Sequence, residues 1–480
     1  MVKVIGEKIL MAAPYKMNIM DIKLSNLWDG GNMAETLMKK TKLNAVQVLA
    51  IGFALVILLG GIILSLPISS VDGKFTNFID AVFTSTSAVC VTGLITVDTG
   101  THWNNFGKVI IMLLIETGGL GFMSITIFIA VLLGKKITLK DRLIMQEAMN
   151  TFNIQGLVRM VEYVLGFTFI VQFCGALLLS TQFVPQFGIQ RGIFYSVFHS
   201  VSAFCNAGFD LFGNYDSLVN YSSNSVVLLT IAFLIIIGGL GFTVSLEIFN
   251  YRKAKRLSTH SKIVISITAG LIVIGAVFMF LVEYNNPATM GNMTFVDKIL
   301  NAFFASVTPR TAGFNSISTT EMTMAGKLMT IILMFIGGAS GSTAGGLKVT
   351  TFGVLLFTII SVLKGRDDTE VFGRKFTKET VYKAFTLLFI AMLLVLTVTT
   401  ILTITEPDKL FINLLYEATS AFGTVGLTAG VTQSIGVVSK ITLIITMYLG
   451  RVGAMTVILA VINKKKKSGI KYPEAKILIG

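Results

Sequence analysis

Charged residues are scarce in this chain. They make up 13% of its 480 residues, while hydrophobic residues make up 53% and the mean hydropathy is +0.78. Soluble globular proteins carry about 25% charged residues, so this chain has about half the polar surface that solubility needs. The shortage excludes an ordinary soluble protein, and the absence of alternating ten-residue segments argues against a membrane β-barrel.

Cysteine and histidine are also rare, with three residues of each. The cysteines fall in apolar or loop-entry segments without CxxC spacing, which argues against a disulfide framework or a cysteine metal site. The scattered histidines form no HExxH motif, and neither a Ser/His/Asp grouping nor a dinucleotide fingerprint occurs. We therefore expect that the chain is not an enzyme and that it carries no cofactor.

Long apolar runs are what the chain has instead. A helix of about 20 residues crosses the ~30 Å of bilayer hydrocarbon, and eight runs are that long: 44–66, 106–134, 160–183, 224–250, 262–284, 325–362, 384–405 and 438–462. Residues 1–43 lack the charged-then-apolar pattern of a signal peptide, so the first run is interpreted as a retained membrane helix. The pattern predicts a multi-pass protein embedded in a lipid bilayer.

The net charge of +14 follows the loops between these runs. Basic residues crowd the N-terminal segment, the loops at 135–142, 252–256 and 364–383, and the tail at 464–467, whereas the intervening loops hold few. By the positive-inside rule, both termini are expected in the cytoplasm. Because the charge is distributed by topology and does not gather on one face, we expect no nucleic-acid partner.

Four copies of one segment recur about a hundred residues apart: STSAVCVTGL, SVSAFCNAGF, ASVTPRTAGF and ATSAFGTVGL. Each contains one key glycine: Gly93, Gly208, Gly313 and Gly426. Each glycine follows a stretch of about eleven residues, at 78–88, 193–203, 298–307 and 411–421. Such a stretch is too short to cross a bilayer and is typical of a re-entrant half-helix.

A second set of small residues follows each key glycine by about 24 to 30 positions, at 118–121, 238–241, 337–340 and 450–453. Small residues in membrane helices permit close backbone approach or a bend. The two sets together predict an all-α polytopic fold with eight transmembrane helices, four re-entrant pore half-helices and four repeats around one pore. The predicted segments are a cytoplasmic 1–43, repeats at 44–134, 158–250, 260–362 and 377–462, and a cytoplasmic tail at 463–480.

A loop with glycine at a fixed position can turn its backbone carbonyls toward a common axis. Carbonyl oxygens can replace the hydration shell of a cation without any charged side chain. The C-terminal ends of the half-helices, if they face the same axis, add partial negative charge. The pattern predicts a cation pore, and the alternative is that the four glycines only pack between transmembrane helices.

The four-unit pattern resembles the superfamily of K⁺ transporters that includes the bacterial Trk and Ktr systems and their plant and fungal relatives. The resemblance runs from about Asn44 to Gly480 and is closest to the membrane subunit of the Ktr system. It is carried by TPRTAGF at 308–314, IGGASGSTAGGLK at 336–348, GRVG at 450–453 and YPEAKILIG at 472–480. It implies K⁺ uptake across a bacterial cytoplasmic membrane.

The resemblance also implies a selectivity filter with one three-residue element per repeat. These elements are Val91, Thr92 and Gly93; Asn206, Ala207 and Gly208; Thr311, Ala312 and Gly313; and Thr424, Val425 and Gly426. Serine at the first key position accompanies Na⁺ selectivity in the plant relatives, so Gly93 favours K⁺. The four elements differ from one another and lack TVGYG, which implies asymmetric coordination and weaker discrimination against Na⁺.

A gate below the filter is implied by the same resemblance. Its residues are Gly337, Gly338, Ser340, Gly341, Ser342, Thr343, Gly345, Gly346, Lys348 and Arg451. The stretch at 337–348 has poor helix propensity and is expected to form an intramembrane loop, with a rigid glycine-rich helix as the alternative. Arg451 would be an electrostatic barrier to the ion, or else would pair with Glu116 or Glu247. Arg310 is expected to brace the filter from behind.

Partners and coupling follow from the resemblance alone. It implies a homodimer of pores and a cytoplasmic ring of nucleotide-binding regulatory subunits, docked on the basic loops and the 363–383 segment. K⁺ would be the transported ion. Whether Na⁺ is co-transported or only activates stays open, and the alternative function is a Na⁺- or H⁺-coupled K⁺ symporter.

Overall fold

The computed structural model describes residues 45–121, 146 and 157–453 of the chain. Three parts of the sequence-based predictions lie outside these residues: the N-terminal segment at 1–43, the C-terminal tail at 463–480, and the YPEAKILIG motif.

Each repeat begins with a first helix, continues with a short pore helix and ends with a second helix. Repeat 1 contains α1 (Ala45–Ser65), α2 (Phe78–Val89), α3 (Thr99–His102) and α4 (Asn105–Leu120). Repeat 2 contains α5 (Leu157–Phe187), α6 (Ile189–Phe204), α7 (Ser225–Gly239), α8 (Phe242–Phe249) and α9 (Tyr251–Ala254). Repeat 3 contains α10 (Thr259–Glu283), α11 (Phe295–Val307), α12 (Met324–Phe335) and α13 (Val349–Leu363). Repeat 4 contains α14 (Lys378–Thr405), α15 (Phe411–Gly423) and α16 (Val437–Val452).

The remaining regular elements are small. Three 3₁₀ turns occur at Pro67–Ser69, Val219–Tyr221 and Thr432–Ser434. One antiparallel hairpin joins β1 (Glu370–Val371) to β2 (Arg374–Lys375) within the basic segment that connects repeats 3 and 4. The fold is therefore mostly helical, as the apolar runs predicted.

Four helices of the described chain are long and apolar enough to cross a membrane, and they are α1, α5, α10 and α14, the first helix of each repeat. A fifth span results if α7 and α8, which meet at 102°, are counted as one. The second helices are shorter because each ends or breaks at the predicted cluster of small residues. The protein is thus a multi-pass membrane protein, while the count of eight spans and four re-entrant helices stays a prediction.

The pore helices are α2, α6, α11 and α15, and the first two begin in different ways. Asn77 caps α2 by accepting a hydrogen bond from the amide of Ile79 at 2.9 Å. The helix α6 starts at Ile189, four residues before the predicted stretch, because only Gly188 separates it from α5. Gly188 has a φ of 78°, a backbone conformation that permits this tight reversal.

In repeats 1, 2 and 3 the pore helix is bonded to the first helix by a serine hydroxyl. The bonds run from Ser85 to the carbonyl of Ile57 (2.7 Å), from Ser200 to Gln172 (2.6 Å) and from Ser306 to Ile272 (2.7 Å). A glycine lies three residues after each accepting carbonyl, at Gly60, Gly175 and Gly275, facing the serine hydroxyl. Without a Cβ at these positions, the two helices approach closely enough for the bond to form.

The repeats follow one another in a closed order. Lys327 at the start of α12 donates to the Asn413 side chain of the next pore helix at 3.2 Å. In the same way Lys440 at the start of α16 pairs with Asp80 of α2 at 2.6 Å. The second contact joins repeat 4 back to repeat 1, so the four repeats form a ring.

The pair between Lys440 and Asp80 should contribute measurably to stability, since its side chains are only 17% and 16% exposed. Lys440→Met leaves Asp80 unpaired and should lower the free energy of unfolding by about 2 kcal/mol, between the values for exposed and buried pairs. Asp80→Asn in the same chain should restore most of that loss. Thermal unfolding in detergent measures both changes.

The matched control is Lys383→Met. Lys383 pairs with Glu379 at 2.8 Å, but the two side chains are 66% and 77% exposed. This substitution should change Tm little. An equal fall in Tm for the two lysine variants would show that Lys440 does not hold the ring closed.

Candidate functional site

The segment after each pore helix has an unusual backbone. Its first residue has a positive φ in every repeat: Val91 (55°), Asn206 (60°), Thr311 (71°) and Thr424 (49°). The key glycine two residues later is also positive, at Gly93 (93°), Gly208 (70°), Gly313 (81°) and Gly426 (92°). Left-handed backbone is costly for β-branched residues, and such strain clusters at functional sites. Three of the four first residues are β-branched, so this strained conformation marks the four loops.

The middle residues have ordinary φ values, so left-handed and right-handed backbone alternate along each loop. Alternation of this kind turns successive amides to one side and carbonyls to the other. The middle amides bond back to the pore helix: Thr92 to the carbonyl of Ser87 (2.7 Å), Ala207 to Ser202 (2.7 Å), Ala312 to Thr308 (3.0 Å) and Val425 to Ser420 (2.9 Å). In the part of the chain that the structure describes, the carbonyl oxygens of these four middle residues accept no hydrogen bond.

The four loops meet around one point. A Cβ placed on Gly93 would lie 2.5 Å from the carbonyl oxygen of Ala207 in the next repeat, and one on Gly208 would lie 2.5 Å from that of Ala312. By the same test Gly313 faces the carbonyl of Val425. Gly426 faces that of Thr92 and completes the circle. Each key glycine thus lies against the middle carbonyl of the following repeat, and a larger residue would force the neighbouring backbone to shift.

This ring suits a cation. Its free carbonyl oxygens can replace a hydration shell, and its middle residues are all buried. At most three residues separate the end of each pore helix from its loop, so the partial negative charge of the helix C-terminus lies next to the ring. No charged side chain is needed to hold the ion.

The second set of small residues lies against the pore-helix ends. A Cβ on Gly118, Gly238 or Gly450 would meet the carbonyl of Val89, Phe204 or Phe422, respectively. Gly121 and Gly453, with φ values of 79° and 93°, follow the ends of α4 and α16, and Gly241, with a φ of 91°, lies in the bend between α7 and α8. Close approach and bending, the two roles predicted for these clusters, therefore both occur.

In repeat 3 the break widens into a loop between α12 and α13. The loop reaches across to repeat 2, where Ala339 donates to the carbonyl of Gly239 at 3.0 Å and Gly341 accepts from the amide of Phe242 at 2.9 Å. It therefore fills the break between α7 and α8. The stretch at 337–348 is a loop and not a continuous glycine-rich helix.

This loop between α12 and α13 lies against two of the four glycine loops that form the ring. A Cβ on Gly345 would meet the Thr424 hydroxyl, and the Thr343 hydroxyl is 3.4 Å from the Asn206 amide. Other predicted gate residues hold the loop itself. Two backbone bonds close its ends: the Gly337 amide donates to the carbonyl of Leu347 at 2.8 Å, and the Gly338 carbonyl accepts from the amide of Val349 at 3.0 Å. Three side chains bond within the loop or to α13: the Ser342 hydroxyl to the carbonyl of Ala339 (2.7 Å), the Lys348 ammonium to the carbonyl of Ala344 (2.7 Å) and the Ser340 hydroxyl to that of Thr350 (3.0 Å). Gly346 has a φ of 67°.

Arg451 lies at the end of α16 and joins the loop to repeat 1. Its guanidinium donates to the carbonyls of Thr343, Gly118 and Gly119. The two carboxylates considered as its partners bond elsewhere: Glu116 to the side chain of Gln172 at 2.8 Å, and Glu247 to the amide of Ser258 at 2.9 Å. The arginine thus bridges backbone carbonyls and forms no salt bridge within the described residues.

Arg310 directly precedes the loop of repeat 3 that carries Gly313. Its guanidinium donates to the Thr268 carbonyl at 3.0 Å and to the hydroxyl of the same residue at 3.3 Å. Its side chain is turned toward α10, away from the ring of carbonyls.

Two sets of hydrogen bonds in and just after the glycine loops were not predicted. The hydroxyls of Ser87 and Ser420 accept hydrogen bonds from the amides of Gly93 (2.9 Å) and Gly426 (3.1 Å). A serine six residues before the key glycine was a visible signal in repeats 1, 2 and 4. Buried Glu417 accepts from the amide of Ala429 at 2.9 Å and from the Thr432 hydroxyl at 2.6 Å, and nothing in the repeat pattern pointed to it.

Comparison with known proteins agrees with this geometry. Residues 53–469 match the family model TrkH, described as cation transport protein. The chain belongs to the TrkH family of cation transport proteins.

Several members of the TrkH family are similar to this chain over most of its length. The potassium/sodium uptake protein NtpJ of Enterococcus hirae is 45% identical over 93% of this chain and 100% of its own. Ktr system potassium uptake protein B of Bacillus subtilis is 42% identical over 93% and 99%. The crystal structure of TrkH from Vibrio parahaemolyticus has a TM-score of 0.67 at 17% identity, covering 87% of this chain and 85% of that one, and so shares the fold.

The close fit of the TrkH-type loops predicts a large effect of Gly208→Ala. The added methyl would meet the carbonyl of Ala312 and the Cα of Gly313, and alanine is strained at a φ of 70°. Strain and overpacking together should lower the free energy of unfolding by about 2 to 5 kcal/mol. Stabilisation by added monovalent cations should also disappear, as measured by Tm in detergent.

Gly73→Ala is the matched control. Gly73 has a φ of 63° but nothing within 4 Å of an added Cβ, so this variant carries the backbone strain alone. It should lose only about 1 to 2 kcal/mol and keep its stabilisation by cations. If Gly208→Ala behaved the same way, the loops would not meet as described.

Proposed function

We propose that this chain takes up K⁺ across the bacterial cytoplasmic membrane through a channel-like pore. The observation that carries the proposal is the ring of four loops whose middle carbonyls accept no hydrogen bond and whose glycines touch the next loop. An inside-negative potential contributes about 2.3 kcal/mol per charge per 100 mV. That energy is enough to concentrate K⁺ without a second coupled ion.

The identity of the ion is supported by the relatives. The similar protein from Enterococcus hirae is named for potassium/sodium uptake, and the one from Bacillus subtilis for potassium uptake. In our proposal the transported ion is K⁺, the filter comprises the twelve residues of the four loops, and no further cofactor is bound. Na⁺ would act as an activator, while co-transport of Na⁺ or H⁺ is the outcome that would replace the channel-like mechanism.

The loop between α12 and α13 would be the gate. It contacts the filter segments of repeats 2 and 4, and Arg451 ties it to repeats 1 and 4. In this position the loop closes the path below the filter, and the charge of Arg451 repels an approaching cation. Opening would require the loop to leave these partners.

The proposed arrangement has eight spans, four re-entrant pore helices and both termini in the cytoplasm. Two chains would form a homodimer with one pore each. Because the Bacillus subtilis relative is named as part of a system, we propose that a ring of nucleotide-binding regulatory subunits docks on the cytoplasmic side. The basic loops and the 363–383 segment, which includes the exposed β1–β2 hairpin, would provide that surface.

The transport proposal is tested by reconstituting the purified chain in liposomes and measuring ⁸⁶Rb⁺ uptake against a K⁺ gradient. We expect uptake that K⁺ inhibits more strongly than Na⁺ does. Gly313→Ser should weaken this preference, because its hydroxyl must enter the ring next to the carbonyl of Val425. Gly73→Ser, at an open position outside the ring, should not.

Three outcomes separate the alternatives. Uptake only when a Na⁺ or H⁺ gradient is supplied would replace the channel with a symporter. Uptake that appears only after a cytoplasmic regulatory subunit is added would show that the gate is closed when that subunit is absent. Equal inhibition by K⁺ and Na⁺ in the unsubstituted chain would contradict a K⁺ filter.

The gate proposal predicts the effect of Arg451→Gln. Loss of the charge should raise ⁸⁶Rb⁺ uptake about tenfold or more, since one unpaired charge near a low-dielectric path acts on a cation with an energy of a few kcal/mol. Arg451→Lys keeps the charge and should stay close to the unsubstituted rate. Unchanged uptake in the glutamine variant would remove the barrier role.

A further inference from the structure

Asn206 occupies a junction that none of the other three first filter residues occupies. Val91, Thr311 and Thr424 are the counterparts in the other repeats, and Asn206 alone among the four carries an amide. Asparagine tolerates the left-handed backbone that this position requires. The residue therefore meets the backbone demand of the filter and adds a side chain that both donates and accepts.

The Asn206 amide lies between the filter of the next repeat and the loop below. On one side it is 3.2 Å from the hydroxyl of Thr311, and on the other it is 3.4 Å from the hydroxyl of Thr343. Both separations are the same in either orientation of the amide. With its nitrogen toward the loop, the amide also donates to the carbonyls of Phe204, Ala203 and Ile235, each at 3.3 Å. One fully buried side chain thus touches two filter segments and the loop.

The same amide lies against the end of α7, at the bend between α7 and α8 in repeat 2. A Cβ on Gly238 would lie 3.0 Å from it, and one on Gly239 would lie 3.4 Å from it. The carbonyls of these two glycines also accept hydrogen bonds from the loop. Gly238 accepts from the amide of Thr343 at 3.4 Å, and Gly239 accepts from the amide of Ala339 at 3.0 Å. The bend between α7 and α8, the loop and the filter therefore share one contact point.

Thr343 is the residue of the loop on which these contacts converge. Its hydroxyl is 3.3 Å from the carbonyl of Phe204 at the end of pore helix α6, and its own carbonyl accepts from Arg451. Movement of the loop cannot leave Thr343 in place, so it must remove the Asn206 contact from below. The amide then keeps its contact with Thr311 of repeat 3 but no longer touches the loop.

We propose that Asn206 and Thr343 are positioning residues that couple the loop to the ion preference of the filter. When Thr343 is in contact, Asn206 fixes the spacing between the filter segments of repeats 2 and 3. When the contact with Thr343 is absent, that spacing relaxes and discrimination between K⁺ and Na⁺ weakens. The inference rests on the proposed function and adds that closed and open states differ in selectivity as well as in conduction.

The test compares Thr343→Val, Asn206→Gly and the double variant. Valine keeps the shape of threonine without its hydroxyl, and glycine accepts the left-handed backbone without the amide. The first measurement is thermal stabilisation of the purified protein by K⁺ and by Na⁺, which reports ion binding whether or not the gate opens. The second is the ratio of ⁸⁶Rb⁺ to Na⁺ uptake in liposomes.

We expect Thr343→Val to lower the preference for K⁺ over Na⁺ roughly fivefold, the effect of losing one neutral hydrogen bond. The effect should vanish in the Asn206→Gly background, because a coupled pair is not additive. Thr343→Ser should restore the preference, since it restores the hydroxyl. The matched control is Thr350→Val, the same substitution at a residue that bonds the loop through Ser340 and lies on α13. It should leave the preference unchanged.

Two results would overturn the coupling. Either Thr343→Val leaves the ion preference unchanged in both measurements, or its effect adds independently to that of Asn206→Gly. A different result separates the proposed function: if the unsubstituted chain neither moves ⁸⁶Rb⁺ nor is stabilised more by K⁺ than by Na⁺, the filter itself is wrong and this inference falls with it.

Discussion

The structure depends on keeping a set of backbone carbonyl oxygens unpaired at membrane depth. An unsatisfied polar group in a bilayer costs several kcal/mol, so irregular backbone occurs there only when protein surrounds it or it lines an aqueous path. The four loops meet this constraint by directing their amides back to the pore helices and their carbonyls to a common centre. Several other features of the described chain serve to hold that separation of amides from carbonyls.

The supporting features are small residues and hydroxyls placed where helices must touch. Serine hydroxyls bond pore helices to first helices, and glycines opposite them permit the approach. Glycines of the second helices fit under the ends of the pore helices. Because these ends carry partial negative charge, the same packing that stabilises the fold also aims the helix dipoles at the ring.

Repeat 3 departs from the common plan in ways that belong together. Its second helix is interrupted by a loop, its pore-helix end has Val307 where the others have serine, and Thr308 takes over the backbone contacts of that position. The loop fits into the break between α7 and α8 of repeat 2 and meets the arginine of repeat 4. Fourfold similarity builds the ring, and the asymmetry of one repeat supplies the loop that we propose as the gate.

Much of the fold could be predicted because the same residue types recur at the same positions in each repeat. Four glycines behind short apolar stretches indicated the loops, and the second set of small residues indicated the breaks. The early start of α6 was missed because it depends on a single-residue reversal at Gly188. The contacts of Glu417 and Arg451 could not be predicted for a related reason. Arg451 bonds to backbone carbonyls and Glu417 in part to backbone amides, and backbone groups have no sequence signature.

The sequence by itself determined the class of protein, the fourfold repeat and the positions of the four glycine-bearing loops, because apolar length and glycine position are local properties. The tertiary structure decided which loop touches which, where the carbonyls point and what holds the loop of repeat 3. Those facts depend on contacts such as that between Asn206 and Thr343, which are 137 residues apart. Hydrogen bonds between distant segments form only when the ring closes, and no local pattern encodes them.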